Sequence, residues 1–333
     1  MALRWDVRRA VAEDAGRAAR REVVAAARVL RAASRPAAGA KAPAAREALA
    51  TAVHEARKSL RRARALVELL RPALGKETAT QLTTRLRSAR RGLAAARDGT
   101  VVVDALRAAW RARAKGDASR PPRKARADLR ARLVARRDAE LASLAAAAVE
   151  AAAAGLESVA NDLGRAERAR LVALTPEDLD GAWARGIARL HRRALRATRV
   201  ALEVPDDARL HAARRRWKEL GYVVRWLAPA WPRVIEAWST EVDELGDLIG
   251  NLHDQAVLRS RLAGLAAATD AELLRDTAAA SERHGERLRG LARPALARLA
   301  AERTNAFVER HLAYVAAARA ERLAGRAGVD DGA

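Results

Sequence analysis

The sequence has no cysteine, which removes disulfide frameworks and thiolate metal sites from consideration. Aromatic residues are only 3% of the chain, with one phenylalanine and two tyrosines. No Val/Ile/Thr-rich alternating segment argues for a strand. No run of about 18 apolar residues exists, so no membrane span is expected. Ala145–Ala154 is apolar but is interrupted by Glu150. Met1–Arg9 lacks the apolar core of a secretory signal, and a cytoplasmic location is the expectation. There is no Walker loop and no Gly-x-Gly-x-x-Gly following a strand. Position 58 is lysine, so His54-Glu55 does not open the helical zinc-protease pattern. No Ser/His/Asp arrangement stands out, and the paired carboxylates (Asp206-Asp207, Glu241–Glu244) lie in turns or on acidic faces. No catalytic residue, cofactor or metal is expected.

What is abundant is alanine and arginine. The 333 residues carry 64 Lys+Arg against 41 Asp+Glu, a formal charge of +23, and only six of the basic residues are lysine. Such a balance attracts polyanions. Arginine's planar fork of donors suits phosphate oxygens, although an Ala- and Arg-rich composition also follows from a GC-rich genome. Turn signals cluster at Ser34–Pro43, Gly116–Pro122, Thr175–Pro176, Val204–Asp207 and Pro229–Pro232. The intervening periodicity predicts eight helices, near 3–32, 43–71, 75–113, 123–172, 176–202, 206–228, 231–265 and 270–324. Asp98-Gly99 and Pro294 are candidate bends in the third and eighth. Thr175-Pro176-Glu177-Asp178 is a strong helix start, with a capping hydroxyl, an N1 proline and two carboxylates at the positive end of the dipole.

One pattern occurs twice, 157 positions apart (211 − 54). Val53-His54-Glu55-Ala56-Arg57-Lys58 runs on through Arg61, Arg62 and Arg64 to Pro72. Leu210-His211-Ala212-Ala213-Arg214-Arg215 runs on through Lys218 to Pro229. At 100° per residue from the histidine, Val53, Ala56, Leu60, Ala63, Val67 and Leu70 fall between about 160° and 260°. Leu210, Ala213, Trp217, Leu220, Val224 and Leu227 fall at the same angles, and these are the predicted core faces. Arg57, Lys58 and Arg61 lie at about 300°, 40° and 340°, matched by Arg214, Arg215 and Lys218. The agreement of both sets argues for internal duplication, with each histidine on the cationic face. Nearby cations favour its neutral form, which still donates one hydrogen bond to a phosphate oxygen. A capping or packing role for each histidine stays open.

Upstream of the second copy, Arg185, Arg189, Arg192, Arg196 and Arg199 form a stripe of about 80° of arc. Like charges at i and i+4 repel, so an anion or carboxylates on a neighbouring helix must offset them, unless the stripe is simply a solvated face. A tight turn would place it beside the His211 helix, which favours binding. The third helix carries Arg87, Arg90, Arg91 and Arg97-Asp98. Its counterpart, ending Gly250-Asn251-Leu252-His253-Asp254, instead carries Glu241, Asp243, Glu244 and Asp247. The halves are therefore electrostatically unequal, and Asp98 and Asp254 read as structural.

The ordered set of V53-H54-x-x-R57-x-x-x-R61-R62-x-R64, A96-R97-D98, L210-H211-x-x-R214-R215-R216-x-K218 with Tyr222, and G250-N251-L252-H253-D254 resembles the conserved-histidine α-helical domain, CHAD. The likeness runs to about residue 320. The resemblance implies an all-α fold of two four-helix bundles in tandem, related by a pseudo-twofold, with a central basic groove or pore. The expected halves are 1–173 and 174–325, with a flexible tail at 326–333. It implies inorganic polyphosphate as partner and an association with polyphosphate granules. His54, Arg57, Arg61 and Arg64 would form one wall, and His211, Arg214, Arg215, Lys218 and Tyr222 the other. Arg189, Arg192 and Arg196 match the family's basic helix, and Lys58, Arg90, Arg97 and Arg225 complete the candidate polyphosphate-binding set. The family usually carries base where this chain has Glu219 and Gly221. Some relatives are fused to a triphosphate-tunnel domain with a Glu-x-Glu-x-Lys signature, a triplet that does not occur here. The rival readings are a nucleic-acid binder and, less favoured, a metal-assisted phosphohydrolase.

Overall fold

The computed structural model describes residues 4–35, 42–93, 95–112, 122–142, 146–265 and 270–330, and over these the protein is all helical. The helices are α1 (Val11–Ser34), α2 (Ala42–Leu69), α3 (Arg71–Leu74), α4 (Lys76–Gly92), α5 (Ala95–Arg111) and α6 (Arg123–Ala142). They continue with α7 (Ala146–Arg170), α8 (Pro176–Glu203), α9 (Asp207–Trp226), α10 (Pro232–Ala263), α11 (Ala271–Leu299) and α12 (Thr304–Asp330), with a 3₁₀ turn at Ala228–Ala230. The starts are built as the sequence predicts. Thr175 Oγ1 accepts from the Asp178 N–H at 3.2 Å, and Asp206 Oδ1 accepts from the Arg209 N–H at 2.7 Å.

Both predicted core faces are buried. Val53, Ala56, Leu60, Ala63, Val67 and Leu70, and likewise Leu210, Ala213, Trp217, Leu220, Val224 and Leu227, are at most 1% exposed. They belong to one large core shared by α1, α2, α3, α4, α7, α8, α9, the first part of α10, the end of α11 and α12. No helix among the described residues is long and apolar enough to cross a membrane.

Two expected segments are divided. The helix expected at 75–113 is α4 plus α5, whereas residues 143–145, between α6 and α7 in the segment expected at 123–172, lie outside the described residues. The segment at 270–324 is α11 plus α12, with the break at 300–303; Pro294 lies inside α11. The reason for the first break is tertiary. α4 and α7 stay with α1 and α2, while α5 and α6 pack chiefly on each other, and α5 on α10 and α11. There Val102, Val103, Leu106 and Leu129 meet Leu258, Leu262, Leu273 and Leu274 in a second core. Buried Gln255 of α10 donates to the Ala105 carbonyl at 3.1 Å across that contact. The packing thus cuts across the boundary expected at 173, and α12 extends past 325. Most of the linker expected at Gly116–Pro122, and the side chains of Arg97 and Asp98, lie outside the described residues.

α8 crosses the end of α2 at Gly186, where a Cβ would stand 1.9 Å from the Leu69 carbonyl oxygen. Only glycine fits this approach. It brings the basic flank of α8 against α2 and seats α9 beside α2, which creates the site.

Candidate functional site

A cavity of about 260 Å³ opens between α2 and α9. α2 lines it with Arg57, Leu60, Arg61 and Arg64; α4 adds Leu86 and Arg90. α9 contributes His211, Arg214, Arg215, Lys218, Glu219 and Tyr222, and α10 contributes His253. The two duplicated faces therefore converge on one trough.

The copies are anchored alike. Arg57 donates to the main-chain oxygen of Arg90 at 2.8 Å, and Arg214 donates to that of Gly246 at 2.5 Å. Donors 157 positions apart reach acceptors 156 apart, which is the geometry that duplication predicts. The two α10 glycines keep the second anchor open. A Cβ on Gly250 would stand 2.9 Å from Arg214, and one on Gly246 would stand 2.6 Å from Lys218. α9's long cations thus lie flat across α10.

Carboxylates occupy part of this charge. Glu219, 3% exposed, lies 2.9 Å from Arg64, 3.2 Å from Arg216 and 3.8 Å from Arg193. Asp243 of α10 holds Lys218 at 2.6 Å and also bonds Arg225. Burial pushes the Asp243 pKa up, but these two cations outweigh it and hold it below the ordinary carboxylate range. Lys218 Nζ lies 5.9 Å from the Tyr222 ring centroid. Among the described residues Arg215 has no such ion-pair partner. Its pKa is lowered first by burial, then by the charges of Arg216, Arg64 and Arg87. It stays protonated, among cations that add to the cost of its burial.

The arginine stripe of α8 is not a groove wall. Arg189 instead bonds Glu68 of α2, through its main-chain oxygen and its carboxylate, the latter at 2.7 Å. Arg193 and Arg71 each reach the same carboxylate at 3.2 Å. Burial raises the Glu68 pKa, yet hydrogen bonds from Arg71 and Arg189 and the charges of Arg189 and Arg193 bring it to about 2. Carboxylates on a neighbouring helix therefore offset the inner part of the stripe. Arg192 and Arg196 are exposed and are not part of the trough's lining.

Other candidates are redistributed. His54 is exposed and is not part of the lining, unlike its counterpart His211. Lys58 and Arg225 line a second cavity of about 490 Å³, which shares Tyr222 with the first and has Leu66, Trp226 and Ala228 among its walls. Sequence reasoning missed His253, whose ring centre lies 4.7 Å from that of His211. It also missed Arg193, Asp243 and Glu219 as the groups that set the trough's free charge. The acidic run on α10 was the available signal, but periodicity does not say which cation each carboxylate takes. Among the described residues no group of three or more His, Asp or Glu could hold a metal ion.

The CHAD domain family profile matches residues 28–263. The crystal structure of the CHAD domain from the plant Ricinus communis aligns with a TM-score of 0.51 at 18% identity, covering 91% of this chain and 96% of that one. At that identity the likeness speaks for the fold. No curated protein matches the sequence.

Proposed function

The chain belongs to the CHAD domain family, and from that premise we propose that the trough between α2 and α9 binds inorganic polyphosphate without hydrolysing it. One observation carries the reading. Seven Arg and Lys side chains line a single cavity against one carboxylate, Glu219, which is itself shared with Arg193 and Arg216 outside the lining. Cations packed this way repel one another, and a linear chain of phosphates relieves the repulsion along its length. Arg61 and Arg215, without an ion pair or hydrogen bond among the described residues, supply guanidinium forks, His211 and His253 supply ring N–H donors, and Arg57 and Arg214 hold the walls in place. Attachment to polyphosphate granules follows from such binding.

The test is calorimetric titration with polyphosphates of several lengths, beside RNA of matched charge. Log affinity should fall linearly with log salt, by about 0.7 to 0.9 per phosphate neutralised, by analogy with nucleic acids. Arg61→Ala and Arg215→Ala are the informative variants, because neither side chain anchors the main chain. Each should weaken binding more than Arg28→Ala on α1. Equal effects, or RNA displacing polyphosphate as well as polyphosphate itself does, would overturn the reading.

A further inference from the structure

The arginines of α8 divide into two sets. Arg189 and Arg193 turn toward α2 and α9 and are neutralised by Glu68 and Glu219. Arg185, Arg192, Arg196 and Arg199 turn outward and are exposed. None of these four has an ion-pair or hydrogen-bond partner among the described residues. At 100° per residue they fall within about 60° of arc, on the opposite side of the helix from the buried Trp183, Ile187, Leu190 and Ala194. The ridge spans four turns, about 21 Å at 1.5 Å per residue. No α8 side chain lines the trough.

Two physical points define what such a ridge accepts. Arg192 repels Arg196 at i+4, and Arg196 repels Arg199 at i+3, with no carboxylate to relieve either contact. A bound polyanion supplies that relief. From residue 185 to 200 the exposed positions are the four arginines and Val200. Bases therefore find no aromatic platform there, whereas a bare chain of phosphates needs only guanidinium forks.

We propose that the outer face of α8 is a second polyphosphate-binding surface, separate from the trough, so that one molecule grips two segments of polyphosphate and cross-links long chains. This rests on the reading of the trough as a polyphosphate site. Two sites on one molecule also raise the avidity for a single long chain that reaches both.

Two variants separate the surfaces: Arg192→Glu/Arg196→Glu on the ridge and Arg61→Ala/Arg215→Ala in the trough. The probe is long-chain inorganic polyphosphate, read by calorimetric stoichiometry and by light scattering. The unmodified protein should cross-link the chains and scatter. The ridge variant should keep trough binding, lose the second binding event and lose the scattering. The trough variant should retain binding with a salt slope of about −2.8, or about −0.7 for each of four arginines. Adding the ridge substitutions to it should remove that residue of binding. A ridge variant with unchanged stoichiometry and scattering would overturn the proposal. So would a trough variant whose ridge takes RNA of matched charge but not polyphosphate. A trough variant that binds as the unmodified protein does would instead sink the trough reading, and leave the ridge standing.

Discussion

The two copies of the basic helix keep one skeleton and differ in the acid beside them. Arg57 and Arg214 make the same main-chain bond to the helix that follows. On the first copy that helix, α4, offers Arg87, Arg90 and Arg91; on the second, α10 offers Asp243, which takes both Lys218 and Arg225. Where the first copy has Arg62, bonded to buried Glu22 of α1, the second has Glu219, which reaches back to Arg64. The duplicated anchor fixes the shape of the trough. The counter-carboxylates fix how much of its charge is free for a ligand.

The strongest way to break this comparison is to remove Glu219. Its side chain is 2% exposed and lies between three guanidinium groups. Glu219→Ala leaves those charges facing one another, and should cost about 3–5 kcal/mol of stability in chemical denaturation. A loss below about 1 kcal/mol would show that solvent, not this carboxylate, screens the arginines.

Acid separates two further regions. His191 is fully buried, stacks on Phe307 at 4.2 Å and meets Thr304 Oγ1 at 3.0 Å, while His311 Nδ1–H donates to the Phe307 carbonyl at 2.7 Å. Burial first, with the nearby Arg310 charge, holds both pKa values at about 4. Unfolded, each titrates near 6.5. The unfolded chain binds more protons between these values, so their contribution is complete above about 6.5 and is lost as pH falls toward 4. Glu68 behaves differently. Its folded pKa of about 2 lies below the ordinary 4.5, so its contribution holds above 4.5 and is lost only between 4.5 and 2. Docking of α12 should therefore loosen at a higher pH than the joint between α2 and α8. Hydrogen exchange that shows α12 and α8 losing protection together, at one pH, would reject this order.

Asp243→Asn is the complementary change to Glu219→Ala. The Asp243 side chain is 35% exposed, so its removal should cost less than about 1 kcal/mol. It frees Lys218 at the trough and Arg225 beside it. Polyphosphate affinity should rise severalfold, and the salt slope should steepen by about 0.7 for each cation that finds a phosphate. Weaker binding would mean that Asp243 positions Lys218 for the ligand instead of competing with it.

These contrasts also mark what periodicity can reveal. The core faces of α2 and α9 were legible because burial repeats every 3.6 residues, and Leu60 or Trp217 cannot face water without cost. The break after Gly92 was not, because α5 is placed by apolar partners on α10 and α11 that lie far away in sequence. The stripe on α8 was legible as a stripe. That Arg189 turns in and Arg192 turns out depends on Glu68, more than a hundred residues upstream. Likewise the trough's cations follow from the repeated motif, while its free charge follows from Asp243 and Glu219.

The smallest expected effect tests the symmetry itself. The repeat makes His54 and His211 equivalent, but only His211 lines the trough, beside His253. His211→Ala removes a donor from the cavity wall and should weaken polyphosphate binding by about 1 kcal/mol, the ordinary worth of one hydrogen bond. His54→Ala, at an exposed position outside the lining, should change binding by less than about 0.5 kcal/mol. Titrating both variants at one salt concentration decides between position and ancestry. Equal losses would mean that the ligand runs beyond the trough along α2, over the face where His54 sits. Unequal losses mean that the motif was inherited twice and is used as a ligand once.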